Sequence, residues 1–497
     1  MTLLALPIMV PLFGVGLVLL ASGSLALQRV LSLLAVAVSL AAAVALLVRV
    51  EADGIQVLRV GGWEPPVGIS LVADLTSALL LVVSLAVILV VQIFAIGQGV
   101  DAPRPRVAHP VYLVLAAGVA MSFLTGDLFN LFVAFEVTLI ASYVLLTLGA
   151  GRDQIRAGMT YVVINMLAST LFITAVGLVY AATGTVSLAD LVTKWDQLPS
   201  GTQTALGVLL LAVFAIKSAV FPFFFWLPDS YPTAPISITA VFAGLLTKVG
   251  VYTMIRITTI LDLHQLAPLL LVVAGFTMVI GAIGAIAQDD IKRILSFHII
   301  SQVGYMIMGL GLYTVAGLSA AVLYVIHHIP VKTVLFLVGG LIEDTTGTGA
   351  LRRLGGLVRR APLIAVLFVV PALSLAGIPP FSGFLAKLSL IQEGMRSGHY
   401  VVVAASIVAG VLTLFSMSKI WAGVFWGTPD EPLPAWSKED GPLRAGRTMT
   451  TAAAGMVVLT LVVPVFAGPV WHLCNRAGAQ LMDRQAYAAA VFEGSDR

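Results

Sequence analysis

A single cysteine, Cys474, occurs in 497 residues, so neither an internal disulfide nor a cysteine-ligated metal cluster is open to this chain. Charge is also scarce: Asp, Glu, Lys and Arg make up 10% of the residues, against roughly a quarter in a soluble globular domain. The net charge is +3 and no basic run is dense enough to track a phosphate backbone, which excludes nucleic acid as a partner. The opening residues, MTLLALPIMVPLFG, lack the basic segment and small-residue cleavage site of a secretory signal, and they read as a retained first helix. The histidines show no metal-ligand spacing, so neither a zinc site nor a cofactor is expected.

What the chain has in abundance is apolar surface. Hydrophobic residues make up 59% and the mean hydropathy is +1.05, values that define a polytopic helical membrane protein. A spanning helix needs about 20 apolar residues. Windows of that kind recur near 2–22, 27–48, 71–97, 108–124, 127–148, 159–182, 205–226, 233–257, 265–287, 294–313, 315–341, 361–392, 400–427 and 449–472. The fold class is therefore all-α, with about 14 transmembrane helices. One set of alternate loops holds most of the positive charge, including Arg104, Arg106, Arg352, Arg353, Arg359, Arg360, Lys438 and Arg444; the other set and the tail, with Arg497, hold less. By the positive-inside rule the richer set is cytoplasmic and both termini face outside.

Two spans are interrupted by proline. The seventh carries Pro222 shortly after Lys217, and the twelfth carries Pro371, Gly377, Pro379 and Pro380 ahead of Lys387. Each proline removes a helical hydrogen bond, and open backbone at depth is tolerated only where protein or water covers it. Broken helices in two corresponding halves point to a transporter built from repeats. The predicted organisation is helices 1–3 over 1–108, a first five-helix repeat over 109–260 (helices 4–8) and a second over 261–427 (helices 9–13). Residues 428–497 supply a loop, helix 14 and a C-terminal tail.

Of eight lysines, Lys217, Lys248, Lys332, Lys387 and Lys419 lie inside apolar stretches, whereas the arginines read as lying in or beside polar connections. The distinction is chemical, because a buried lysine can give up its proton and an arginine effectively cannot. Glu136 is the deepest acid and Lys217 its natural partner, an ion pair at about 4 Å. Lys248 and Lys387 have no comparable acid, which favours a lysine that spends time deprotonated. His327, His328 and Lys332 share one segment and His298 stands on the neighbouring span; histidine titrates near neutrality and can pass a proton through either nitrogen. The competing readings are a neutral structural glutamic acid, packing histidines, and lysines at helix ends that reach for the interface, Lys419 above all. Sodium asks for several oxygen ligands, and one deep carboxylate among lysines does not supply them.

The motifs GDLFNLFVAFEV (126–137), KSAVFPFFFWLPDSYPTAPISITAVFAGLLTKVGVY (217–252), QDDIKRILSFHIISQVGY (288–305) and GIPPFSGFLAK (377–387) carry a family resemblance. The chain resembles the antiporter-like membrane subunits shared by multisubunit Na+/H+ antiporters of the Mrp type and respiratory complex I, and WLPDSYPTAP with LLTKVGVY favours the Mrp branch. The resemblance implies fourteen helices with two inverted five-helix repeats, a functional pair of Glu136 and Lys217, Lys248 as central relay, and Lys387 in the second broken helix. Phe224 stands where relatives often have histidine, so that position cannot relay protons here. The chain ends soon after the fourteenth span, which argues against the largest family members. The implied partners are other membrane subunits of the complex, including small ones of the C type and the larger antiporter-like one of the A type. Protons and Na+ are the implied cargo, in a bacterial cytoplasmic membrane. The expected function is proton translocation within an antiporter, a secondary transporter and not an enzyme. The alternatives are an energy-coupling component of a respiratory or hydrogenase complex, and a scaffold whose buried charges only fix helix register.

Overall fold

A computed structural model describes residues 2–101, 105–149, 151–428 and 445–493. Arg104, Lys438, Arg444 and Arg497 lie outside the described residues, as does the side chain of Arg106. Among the described residues, 13 helices are long and apolar enough to cross a bilayer. The first six are α1 (Thr2–Leu20), α2 (Leu25–Asp53), α3 (Leu75–Gln98), α4 (Pro105–Leu124), α5 (Leu128–Leu146) and α6 (Arg152–Thr183). After the short α7 (Leu188–Lys194), α8 (Ser200–Lys217) leads into a non-helical stretch and the single turn α9 (Trp226–Ser230). One rod then runs from Ile236 to Ile260: α10 (Ile236–Val241), a π-helical turn over Phe242–Leu246, and α11 (Thr247–Ile260). It is followed by α12 (Ala267–Ile286), α13 (Ile291–Leu312), α14 (Val315–Thr346) and the short α15 (Leu357–Arg360). The last part holds α16 (Pro362–Ala376), α17 (Ser382–Arg396), α18 (Tyr400–Trp421), α19 (Arg447–Val465), α20 (Ala467–Met482) and α21 (Arg484–Glu493).

The rod containing α11 is buried on every side, as is most of α14, and the two form the centre of the bundle. A helix apolar all round belongs in a core. The outer helices behave differently: Phe13, Leu20, Val48, Met159, Val163 and Val411 point outward from α1, α2, α6 and α18, the surface a hydrocarbon or protein neighbour must cover. Helices approach closely where glycine permits. A Cβ on Gly281 of α12 would lie 2.4 Å from the Ser301 nitrogen of α13, and one on Gly304 would lie 2.5 Å from Met278 Cγ, so this helix pair is locked by small residues.

The same capping device occurs twice, once in each half of the chain. Asp127 caps α5 by accepting from the Asn130 N–H (2.7 Å), and its strand-like segment pairs with Ser187 just after α6. Asp290 caps α13 by accepting from the Arg293 N–H (3.1 Å), and it pairs with Ala350 just after α14. In each case a glycine in the left-handed region, Gly184 or Gly347, ends the long helix, and the flanking threonines, Thr183 and Thr346, accept from the N–H two residues on.

Several expectations need correction. The seventh window does not run to residue 226: α8 stops at Lys217, and Ala219 takes a positive φ of 55°. The twelfth window is two short helices separated at Gly377–Phe381, and Pro371 lies inside α16, not in the gap. Loss of one N–H does not end a helix whose remaining bonds are intact, whereas Gly377 (φ 87°) followed by Pro379 and Pro380 does. Arg256 lies within α11, not in a connection, and is buried against Asp74 of the segment before α3 (2.6 Å) with Tyr252 and Tyr487 flanking its guanidinium. Among the described residues, a two-stranded antiparallel hairpin, β1 (Gln56–Arg59) and β2 (Ser70–Ala73), stands between α2 and α3. The tail is α20 and α21, and Cys474 is buried in α20.

Candidate functional site

The site begins at the edge of the bundle. Glu136 projects from α5, half-buried beside the exposed Ile140. Lys217 is buried and ends α8. The two are not in direct contact as expected. Ser169 of α6 stands between them: its hydroxyl donates to Glu136 Oε1 and accepts from Lys217 Nζ at 3.2 Å. The Lys217 ammonium also lies 5.2 Å from the Phe135 ring centroid and at the C-terminal end of a helix, where backbone carbonyls favour a cation. The chain after Lys217 is held by Phe221 N–H donating to Thr277 Oγ1 (3.1 Å) and Trp226 Nε1 donating to the Ile216 carbonyl (3.1 Å). Pro222 lies in this stretch, and Phe224 stacks on Phe221.

A cavity of about 20 Å³ adjoins Lys217 on the side of the central rod. Thr138, Tyr161 and Asn165 give it polar walls, and Leu246 and Val249, which flank Lys248 in sequence, close it. That volume holds about one water.

The second half of the site centres on α14. Lys248 is fully buried and donates to the Ala243 carbonyl, within the π-helical turn that displaces the normal hydrogen-bond register. Lys332 is fully buried with no hydrogen-bond partner, its Nζ 5.7 Å from the Phe336 ring centroid. Both His328 nitrogens lack a partner as well. His298 Nε2 lies 3.0 Å from Ser416 Oγ and His327 Nδ1 lies 2.7 Å from Ser382 Oγ, while the other nitrogen of each ring is unpaired. The charges of Lys248 and Lys332 oppose one another, and His328 feels both. Buried polar atoms in native proteins are rarely left without partners, which sets this group of nitrogens apart from ordinary packing residues.

Lys387 completes the row. It donates to the carbonyls of Leu375 (2.9 Å) and Ala376 (3.0 Å), the last of α16, and packs 5.0 Å from the Tyr305 ring centroid. Broken α16 thus supplies the counter-charge that no carboxylate provides. Pro379 and Pro380 form the gap that exposes those carbonyls, while Pro371 plays no part in it. Lys419 does not join the row. Its Nζ binds the Ile286 and Gln288 carbonyls and Asp289 Oδ1 (2.8 Å), anchoring the α12–α13 connection.

Sequence reasoning missed the hydroxyl groups: Ser169, Ser382, Ser416, and the stacked Tyr305–Tyr324 pair, whose Tyr324 hydroxyl donates to Gln302. The one local signal was Asn165 four residues before Ser169, a polar stripe on α6.

Buried lysines and histidines held by freed carbonyls and hydroxyls, along the centre of a polytopic helical bundle, define a membrane protein of the charge-moving class. Comparison with known proteins makes this specific. Residues 125–413 match the family described as NADH:quinone oxidoreductase/Mrp antiporter, transmembrane. The chain is 42% identical over 496 residues, 99% of each chain, to the D subunit of the Na(+)/H(+) antiporter of Alkalihalophilus pseudofirmus. It is 35% identical to the corresponding D subunit of Bacillus subtilis over 98% of this chain and 99% of that one. Its fold superposes on a chain of the Mrp complex from Dietzia sp. with a TM-score of 0.92 and 34% identity, covering 99% of this chain and 100% of the other. A chain of the membrane-bound sulfane sulfur reductase, an archaeal respiratory membrane complex, gives 0.90 at 27% identity with the same coverage. The chain belongs to the NADH:quinone oxidoreductase/Mrp antiporter family.

Proposed function

We propose that this chain is the proton-translocating subunit of a multisubunit Na+/H+ antiporter. It is a multi-pass membrane component of a hetero-oligomeric cation/proton antiporter. The route runs from Glu136 through Ser169 and Lys217, across the small cavity, to Lys248, then by His328, Lys332, His298 and His327 to Lys387. What carries this reading is the set of buried nitrogens without hydrogen-bond partners between two lysines held by broken helices. A row of that kind is costly as a mere scaffold, because each buried polar atom left unpaired costs about 1–3 kcal/mol.

The two-repeat organisation, 109–260 and 261–427, is supported by the duplicated Asp127/Ser187 and Asp290/Ala350 bridges and by the paired helix breaks. Location in a bacterial cytoplasmic membrane is supported by the bacterial relatives, and the placement of both termini outside by the arginine-rich alternate loops. Glu136 is half-exposed at membrane depth and needs a protein neighbour, which fits a partner subunit seated against α5 and α6. Sodium is assigned to a partner, since the row offers one carboxylate. The respiratory alternative shares the fold, but the higher identities are to antiporter components.

The test is cation-driven proton movement in membrane vesicles carrying the complex with Glu136→Ala. Exchange should be lost while the complex still assembles. Near-normal exchange by the assembled variant would refute the route.

A further inference from the structure

A second ionisable cluster lies away from the central row, where α2, α3 and α4 meet at the arginine-rich end of the bundle. α3 ends at Gly99 in the left-handed region, and the chain turns to place Asp101 in the interior at 3% exposure. Its carboxylate takes a two-pronged contact from Arg29: Nε donates to Oδ2 (2.7 Å) and Nη2 to Oδ1 (3.1 Å). His109 Nε2 of α4 lies 2.9 Å from the same Oδ2. The side chains of Asp101 and His109 are each 4% exposed, whereas that of Arg29 is 32% exposed and is the outward-facing member of the cluster. Burial alone would raise the Asp101 pKa, but the hydrogen bonds from Arg29 and His109 outweigh it, so the carboxyl is held below its ordinary range and stays anionic.

Arg29 already neutralises Asp101. A histidine is therefore not needed for charge balance, and an apolar side chain would fill the space without the cost of burying an imidazole. Behind it lies a cavity of about 10 Å³ lined by Gln92, Asp101, His109 and Tyr112 with apolar neighbours. His109 Nδ1, the Tyr112 hydroxyl and Gln92 Oε1 all lack hydrogen-bond partners. Three buried polar groups therefore border one water-sized space, which is a built site and not a packing defect.

We propose that Asp101, His109 and this cavity form a second proton-binding site, which takes protons from the arginine-rich side of the membrane. The proton adds to His109 Nδ1, forming one N–H bond, and the imidazolium is stabilised through Nε2–H by the Asp101 carboxylate. Tyr112 and a water in the cavity are its exchange partners. The site rests on the proton-translocating reading and deepens it by adding an uptake point outside the central row. Among the described residues the charged groups facing His109 are Asp101 from the α3–α4 connection and Arg29 from α2; α1, which also packs on α4, carries none, and α3 presents Gln92.

Two measurements on the intact complex test this. Hydrogen–deuterium exchange at the imidazole C2 position, read by mass spectrometry in the peptide carrying His109, should show a protonation midpoint within the pH range over which the complex stays assembled. In Asp101→Asn the midpoint should fall, because the anionic partner is gone. Absence of titration, or an unmoved midpoint, overturns the proposal. In vesicles, His109→Gln keeps a side chain able to donate to Asp101 but cannot titrate. Exchange should fall at least about tenfold at the alkaline end of the profile, where protons are scarce, and return toward wild type at the acid end. A profile that overlays the wild type overturns the uptake role. If the wild-type complex moved no protons, the functional reading would fail, while the His109 titration would still report on the site; if His109→Gln does not assemble, the wild-type and Asp101→Asn titrations decide.

Discussion

Ser169→Ala removes one hydroxyl from the centre of the Glu136–Lys217 arrangement without changing charge or, to a first approximation, volume. In the native geometry that hydroxyl donates to the Glu136 carboxylate and accepts from the Lys217 ammonium at 3.2 Å. A hydrogen bond to a charged group contributes about 1.5–3 kcal/mol, and about 1.4 kcal/mol corresponds to a factor of ten in rate. Ser169→Ala loses both bonds; if only one of them strengthens along the route, passage slows by about 10- to 100-fold. The lower end is expected, because Lys217 closes the α8 C-terminus and its flexible side chain can move toward Glu136. The assay is cation-triggered proton movement in vesicles containing the intact complex, normalised to assembled protein. Ser169→Thr retains the hydroxyl and should keep most of the activity. Full exchange by Ser169→Ala, alongside an inactive Glu136→Ala, would refute the bridge and show that the two charged groups work by direct contact.

The same assay reads two further changes. Lys217→Arg should be nearly as damaging as Lys217→Ala, since guanidinium keeps the charge but does not release a proton; full activity would make Lys217 an electrostatic anchor only. Lys387→Glu faces the two terminal carbonyls of α16, so it should work only with its carboxyl protonated, giving measurable exchange with an optimum moved to lower pH, whereas Lys387→Met should be inactive. Equal activity of both variants would move the route away from this residue. At the loop before α13, the Lys419 hydrogen bond, and with it Arg352, holds the Asp289 carboxyl below its ordinary value of 3.8. A depressed carboxylate contributes stability above that value, and the contribution is lost as pH falls through the lowered one. Lys419→Gln should therefore be less stable to unfolding than wild type at neutral pH, by no more than about 1 kcal/mol for so exposed a pair, and the gap should narrow in acid. A gap independent of pH would remove Asp289 from the explanation.

The sequence alone determined that the chain is a many-helix membrane protein and that Glu136 and a set of lysines and histidines lie in its apolar stretches. Both follow from the local free energy of moving side chains out of water. The spacing of His328 and Lys332 on one helical face was legible for the same reason, since a helix fixes neighbours four residues apart. Family motifs pointed to Glu136, Lys217, Lys248 and Lys387 before any coordinates. Tertiary structure decided what each charge touches. Ser169 lies 33 residues from Glu136 and 48 from Lys217, and no periodicity ties those positions together. Arg256 read as a loop residue until Asp74, 182 residues away, was brought against it. Lys387 lacked a partner in sequence terms because its partners are main-chain carbonyls, which every residue has and only a broken helix leaves free. Depth in the membrane is a property of a segment, whereas the partner of a buried charge is a property of helix rotation and packing, which only the folded bundle sets.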